Sequence, residues 1–435
     1  MPRIAAFRAL RFDEGRLPDL AQVIAPPYDV ISPEKRAELE SQHARNIVHL
    51  DLPRGDGDEK YANARRLLDQ WMGEGILRED KEPAIYRYEQ IFSFDAGTGA
   101  RTYTRKGFFA LIELSPFSDR IVLPHEHTLS GPKVDRFKLI KTTEAHFSEI
   151  FALYRDPQGE AEAALERATT GAPAVDTTTP DGCRHRLWVV TDKAAIARVA
   201  QALAPKPVMI ADGHHRYETM VAIRDALRPA DAALGTSQAD FGPMFFARAE
   251  DPGLLVLPTH RMVHGLPEDA LDRLADICRP YFVVESGDER DAAAISDRLR
   301  REGESAVTFA LRRPHQDRTT WLRLRKDVSL ARLGPATLGC LDVSVLHGLI
   351  LEPLGIGAEA MAKQSNLSYS HDLGETLGRV AGGAVQAAFV MNATKVYQVL
   401  DACEAGFVLP QKSTYFQPKL ATGLVMQKIR PGEPL

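Results

Sequence analysis

The chain has 435 residues, 26% of them charged, and a formal net charge of -5; this balance provides no general surface for a polyanion and sets nucleic acid aside as an expected partner. With 44% hydrophobic residues the length suits two globular domains, and no run approaches the ~18 apolar residues of a membrane span. The four cysteines, Cys183, Cys278, Cys340 and Cys403, form no CxxC pair, and the first fifteen residues carry acids; a disulfide framework, a zinc ribbon and a signal peptide are therefore not expected, and the reading is a cytoplasmic protein.

In chain order, a strand is predicted around Ile4–Leu10. A rigid Pro26-Pro27 turn follows, then a helix capped by Ser32 with Pro33 at its first position. Tyr61, Ala64, Leu67, Leu68, Trp71 and Met72 recur at helical spacing, and glycines end that helix. The stretch "AIYRYEQIFSF…RTYTRKGFFALIEL" predicts a hairpin turning at 95–100. The segment from about 116 to 150 is polar, and 160–182 reads as a mobile Ala/Thr/Pro-rich edge. Strands near 186–190 and 208–211 bracket a short helix, and another helix runs to Leu227. Further strands are predicted near 243–249 and 254–259. Beyond about 267 a helix and a strand precede two paired strands, "VTFALRR" and "TTWLRLR", and the last third alternates helices with short strands. His347 and His260 sit in apolar surroundings and are expected to pack. The class is mixed α/β, with a boundary expected at 262/263 between an N-terminal domain, 1–262, and a C-terminal α/β domain, 263–435.

Four clusters carry the chemistry. In "IADGHHRYET" a buried strand gives way to a helix through Asp212, Gly213, His214, His215 and Arg216. A strand, a glycine turn and a helix start aim free N–H groups and the positive helix end at an anion. Gly213 permits close approach of a phosphate, Arg216 suits a bidentate grip on it, and Asp212 suits Mg²⁺ or a hydroxyl proton. In "LPHEHTLSGPKVDR", His125 and His127 flank Glu126 and share one face if extended, a pattern for a divalent metal. Lys133 and Arg136 add positive charge there, and Asp135 adds a carboxylate.

The third cluster, "EAGFVLPQKSTYFQPKLATGL", places Lys412, Ser413 and Thr414 after Gly406. Gln411 stands where a P-loop needs its second glycine, so a Walker cradle is not expected. Lys412 and Lys419 are candidates to reach a pocket from this loop. In the fourth, "APPYDVIS", the double proline fixes the directions of the Tyr28 hydroxyl and the Asp29 carboxylate.

Taken together, "VIAPPYDVIS", "LPHEHTLSGPKVDR", "IADGHHRYET" and "LPQKSTYFQPKLATGLV" resemble the microbial family named domain of unknown function 1015, over about 4–425. The DGHHR run is also similar to the phosphate-binding signature of the ParB/sulfiredoxin-like superfamily, and specifically to its free-serine kinases. That resemblance implies a ParB/sulfiredoxin-like N-terminal portion that binds ATP or ADP with Mg²⁺ and phosphorylates a small hydroxyl compound such as serine, or runs the reverse phosphatase reaction. It implies catalytic roles for Asp212 and His215, with Glu126 a candidate for those kinases' upstream glutamate. Gly213, His214 and Arg216 would then hold phosphate with Lys133, Arg136, Lys412, Ser413 and Thr414. Tyr28, Asp29 and Lys419 are the candidate substrate contacts. A nucleotide-binding regulatory module without turnover is the second reading, and a metal-dependent hydrolase using His125 and His127 with Asp135 is the third. A homo-oligomer is compatible with all three.

Overall fold

The computed structural model describes residues 1–95, 99–126, 131–228 and 233–434. Aromatic alternation builds the predicted hairpin: Ile85–Asp95 pairs antiparallel with Ala100–Glu113, from Tyr86 opposite Phe109 to Asp95 opposite Ala100. Tyr88 packs its ring 5.0 Å from Phe109, which lies 5.2 Å from Phe245 of the next strand. These inward rings supply area that a two-stranded ribbon alone lacks, and the sheet grows around them.

Among the described residues, the hairpin is the centre of a nine-stranded mixed sheet. Its order is Val122–Leu123, Val208–Asp212, Ile150–Tyr154, Phe241–Arg248, Ala100–Glu113, Ile85–Asp95, Arg184–Val190 and Val175–Thr178, with Ile4–Ala5 beside Ala100–Glu113. Val208–Asp212 is buried from Val208 to Ala211 and runs parallel to Val122–Leu123, so the ends of these two strands deliver Asp212 and His125 to one place. The predicted cap is present, with Ser32 Oγ accepting from Lys35 N at 3.2 Å, and the structure adds another, Asp192 capping Lys193–Leu203.

Two stretches differ from the sequence expectation. The 160–182 region holds a helix, Glu160–Ala168, and an edge strand, Val175–Thr178. Ala161, Ala164 and Leu165 bury one face of that helix, a pattern masked by the high alanine content. The polar segment before residue 150 contains a helix, Gly131–Thr143, whose hydrophobic side is narrow.

A second sheet of six strands runs Phe282–Gly287, Thr319–Leu324, Thr308–Arg312, Ala387–Met391, His260–Val263 and Leu367–Ser370. The paired strands predicted from "VTFALRR" and "TTWLRLR" lie adjacent in it. His260–Val263 spans the expected boundary at 262/263. The end of the chain then returns to the first sheet's side: Phe416–Gln417 pairs with Leu255–Val256, Met426 bridges Leu10, and Gln427–Lys428 pairs with Ala145–His146. One hydrophobic cluster accordingly contains Phe12 and Trp71 together with Phe389, Phe416 and Val425. Among the described residues no helix is long and apolar enough to cross a membrane.

Arg105 latches this returning segment. Its guanidinium is fully buried, bonds Gln90 Oε1 and the Pro418 carbonyl (2.7 Å), and lies 4.6 Å over the Phe151 ring. Burial holds its pKa down to about 10, still charged at neutral pH. Arg105→Ala is expected to cost on the order of 3 kcal/mol, because it opens a cavity and orphans buried acceptors. Urea unfolding measures this, and a loss under about 1 kcal/mol would show that the latch is not needed.

Candidate active site

The turn after the Val208–Asp212 strand is made by Gly213, whose φ of +95° is a left-handed value that a side chain disfavours. A Cβ there would also lie 3.0 Å from Arg216 Nε. The helix His214–Leu227 starts at once, and among the described residues no side chain caps it. Its first N–H groups therefore lack intrahelical partners, and the helix end carries partial positive charge. Residues 211–216 all line a cavity of about 460 Å³, within the range of small-molecule sites.

Asp212 is the electrostatic centre of that cavity. Its carboxylate accepts from Lys419 Nζ at 2.8 Å and from Arg216 Nη2 at 2.6 Å. Burial alone would raise its pKa, but Lys419 and Arg216 outweigh burial and hold it well below the usual carboxylate range. Arg216 is itself buried. It also donates to the carbonyl of Glu149, and its Nε has no partner among the described residues. The pKa of the Glu149 carboxyl is driven well up by burial.

The two histidines divide their roles. His214 is buried and its Nε2 accepts from the His125 N–H at 3.2 Å, with the two rings 4.5 Å apart and near perpendicular. Burial and neighbouring His125 hold its pKa down to about 3, so the ring is neutral. His215 is half-buried on the cavity wall, and burial and Lys133 lower its pKa.

His125 Nδ1 lies 2.6 Å from the Ile210 carbonyl and so donates to it, which leaves Nε2 to accept from Thr414 Oγ1 at 2.8 Å. Glu126 follows on the cavity wall. Burial works against its charge, while the neighbouring Lys412 ammonium favours it and helps lower its pKa. Across the cavity stand Tyr28 and the exposed Asp29. The Tyr28 ring lies 4.4 Å under the Arg136 guanidinium, and burial raises the phenol's pKa. Lys412 is exposed at φ +58°, and Lys419 sits 4.4 Å over the Tyr415 ring.

The sequence-derived candidates Tyr28, Asp29, His125, Glu126, Asp212, Gly213, His214, His215, Arg216, Lys412, Thr414 and Lys419 thus converge on one cavity. Four others lie off its wall. Lys133 pairs with Glu218 at 2.5 Å, and Asp135 is held by Lys60 (2.6 Å) and Tyr61 (2.9 Å). Arg136 bonds Asp51 and Asp135 behind Tyr28, and Ser413 is buried and donates to the Pro410 carbonyl. His127 lies outside the described residues. His371 and Tyr415, stacked at 3.7 Å, line the cavity as well. His371 had no motif to mark it, whereas Tyr415 stood inside a quoted loop. A smaller cavity of about 230 Å³ adjoins this one, sharing Val30, Tyr415 and Lys419.

The donor set bears on metals. Both His125 ring nitrogens are engaged, and the described residues contain no group of three or more His, Cys, Asp and Glu placed to hold an ion. A zinc-type site of protein ligands alone does not fit them. Mg²⁺ differs, since it is commonly held by one or two carboxylates together with substrate phosphates. Glu126 offers that chemistry.

No curated protein matches the chain. Among solved structures, it is similar to a free serine kinase mutant in complex with AMP (12% identity, TM-score 0.38, covering 74% of this chain and 91% of that one). It is also similar to a conserved hypothetical protein from Pyrococcus furiosus (14% identity, TM-score 0.35, 73% and 95% covered). A third is SbnI with C-terminal truncation from Staphylococcus aureus (12% identity, TM-score 0.35, 72% and 86% covered). The model of the family described as protein of unknown function (DUF1015) matches residues 4–344, which include three of the four clusters that line the cavity, and the chain belongs to that family.

Proposed function

We propose that the protein binds a nucleotide in this cavity and transfers phosphate to a small hydroxyl compound such as free serine, with Mg²⁺ as the expected ion. The observation that carries the reading is the convergence of an uncapped helix start, two lysines and three carboxylates on one cavity. Phosphoryl transfer asks mainly for positioning and charge neutralisation, and that set supplies both. Mg²⁺, when bound, would neutralise phosphate oxygens, and Glu126 is the residue that would hold it.

The residues divide the remaining work. The 213–216 backbone and Lys412 hold phosphate oxygens. Lys419 and Arg216 are oriented by Asp212, which with two cations on it is a poor base and a good anchor. Asp29, exposed at the cavity and free of that double pairing, orients the acceptor hydroxyl and takes its proton as the new O–P bond forms and the bond from that phosphorus to the departing nucleotide's oxygen breaks. A binding module without turnover is the second reading, and the same experiment separates the two.

The test is a phosphorus NMR time course with Mg²⁺, ATP or ADP, and L-serine, beside an Asp212→Asn control. A new phosphomonoester signal absent from the control is the expected result. Unchanged spectra with both nucleotides would remove the serine-kinase reading.

A further inference from the structure

A second cavity, of about 510 Å³, lies in the C-terminal part of the chain and shares no lining residue with the first. One wall is the segment 408–411, immediately before Lys412 and Thr414 of the active-site cavity. Leu409 N donates to the His125 carbonyl at 2.9 Å, and Arg261 Nη2 donates to the Lys412 carbonyl at 2.9 Å. The segment is thus a partition with one cavity on each side.

The second cavity has a distinct chemistry. At depth stands His347, 7% exposed, whose Nε2 has no hydrogen-bond partner among the described residues. A buried polar atom left unpaired is costly and calls for a partner. Burial holds this imidazole's pKa down to about 3, so it presents a neutral ring. His347 opens a π-helical turn, His347–Leu351, closed by the Glu352 N–H on the His347 carbonyl at 2.9 Å. Such turns are frequent at functional sites, and here both of its bonded residues line the cavity. Two exposed residues of opposite charge, Glu352 and Arg332, stand at its mouth, and Arg332 is 4.6 Å over the Tyr281 ring. Between mouth and floor the walls include Leu338, Leu409 and Tyr369.

We propose that this cavity is a second ligand site for a small zwitterion with an apolar body, the chemistry of an apolar α-amino acid, and that its occupancy fixes the 408–414 partition. Arg332 receives the carboxylate, Glu352 the ammonium, and the side chain lies against Leu338 and Tyr369. An amino acid carrying a polar tip reaches His347 Nε2.

Calorimetric titration of the full chain with L-leucine, L-methionine, L-phenylalanine and L-tyrosine, without nucleotide, tests the site whether or not the first cavity transfers phosphate. The expected result is saturable binding of at least one of the four. Hydrocinnamate and phenethylamine, each lacking one charge, should bind tenfold or more weakly than phenylalanine. Leu338→Trp, at a half-buried position, should abolish the heat. If that variant does not fold, Arg332→Ala at the exposed mouth should weaken binding at least tenfold. Absence of heat with all four amino acids, or equal binding by wild type and the variant, overturns the proposal. Hydrogen exchange of 408–415 should slow when the best ligand is added, and unchanged exchange overturns the coupling to the partition.

Discussion

Asp212→Ala is expected to remove phosphoryl transfer and to cost about 3–5 kcal/mol of stability, the range for breaking one side of a buried ion pair. The carboxylate is the common partner of Arg216 and Lys419, and among the described residues the buried Arg216 guanidinium would keep only its hydrogen bond to the Glu149 carbonyl. Glu149 is a poor substitute counter-ion, because burial works against a charge on its carboxyl. Asp212→Asn retains the shape and one acceptor, so its stability loss should be smaller. Its transfer rate should still fall on the order of 100-fold or more, the scale for losing one preorganised electrostatic contact. Urea unfolding and the phosphorus NMR rate separate the two effects. If Asp212→Asn keeps full transfer, the anchoring role assigned to Asp212 is wrong.

Buried imidazoles should draw stability away as the pH falls below about 6.5. His146, His214, His260 and His347 are buried, and burial, the leading cause in each, holds their pKa values down to about 3 from an ordinary 6.5. The folded protein therefore binds fewer protons than the unfolded chain below pH 6.5. The stability is complete above that pH and is lost as pH falls toward 3. Each such group costs about 1.4 kcal/mol per pH unit in that window. Glu149 and Asp342, whose pKa values burial raises, work in the opposite sense. The net loss between about pH 7.5 and 5.5 is therefore smaller than the imidazoles alone would give. Asp212 and Glu126 act in a separate window. Their folded values are depressed, so their contribution is present above about pH 4.5 and fades only below it. Urea midpoints across pH 7.5 to 5.5 check this, and His146→Leu should flatten the slope by one proton. If His146→Leu leaves the slope unchanged, His146 is not held neutral by burial.

Local chemistry made much of this legible in advance. The alternation Tyr86, Tyr88 against Phe109 marked a hairpin because side chains on a strand alternate faces. Ser32 announced a helix start through the N–H group it satisfies. The alanine-rich helix at 160–168 was hidden because alanine carries little periodic contrast in hydrophobicity. Within the site, Asp212 through Arg216 stood out because a glycine turn between a buried strand and a helix is a local signature. His371 did not, since a single histidine before a helix has no pattern of its own.

By itself the sequence determined the mixed α/β class, the chief elements and the four clusters, all of which depend on neighbours in the chain. Only the tertiary structure decided which clusters meet. Asp212 lies 207 positions from Lys419, and His125 lies 289 from Thr414. Strand pairing across the sheet and the return of the last segment close those gaps, and neither the register of a sheet nor the path of a returning chain is written in any local window. The same is true of burial, which decides that His214 is neutral and Arg216 is committed to Asp212: a residue's charge depends on what surrounds it in space.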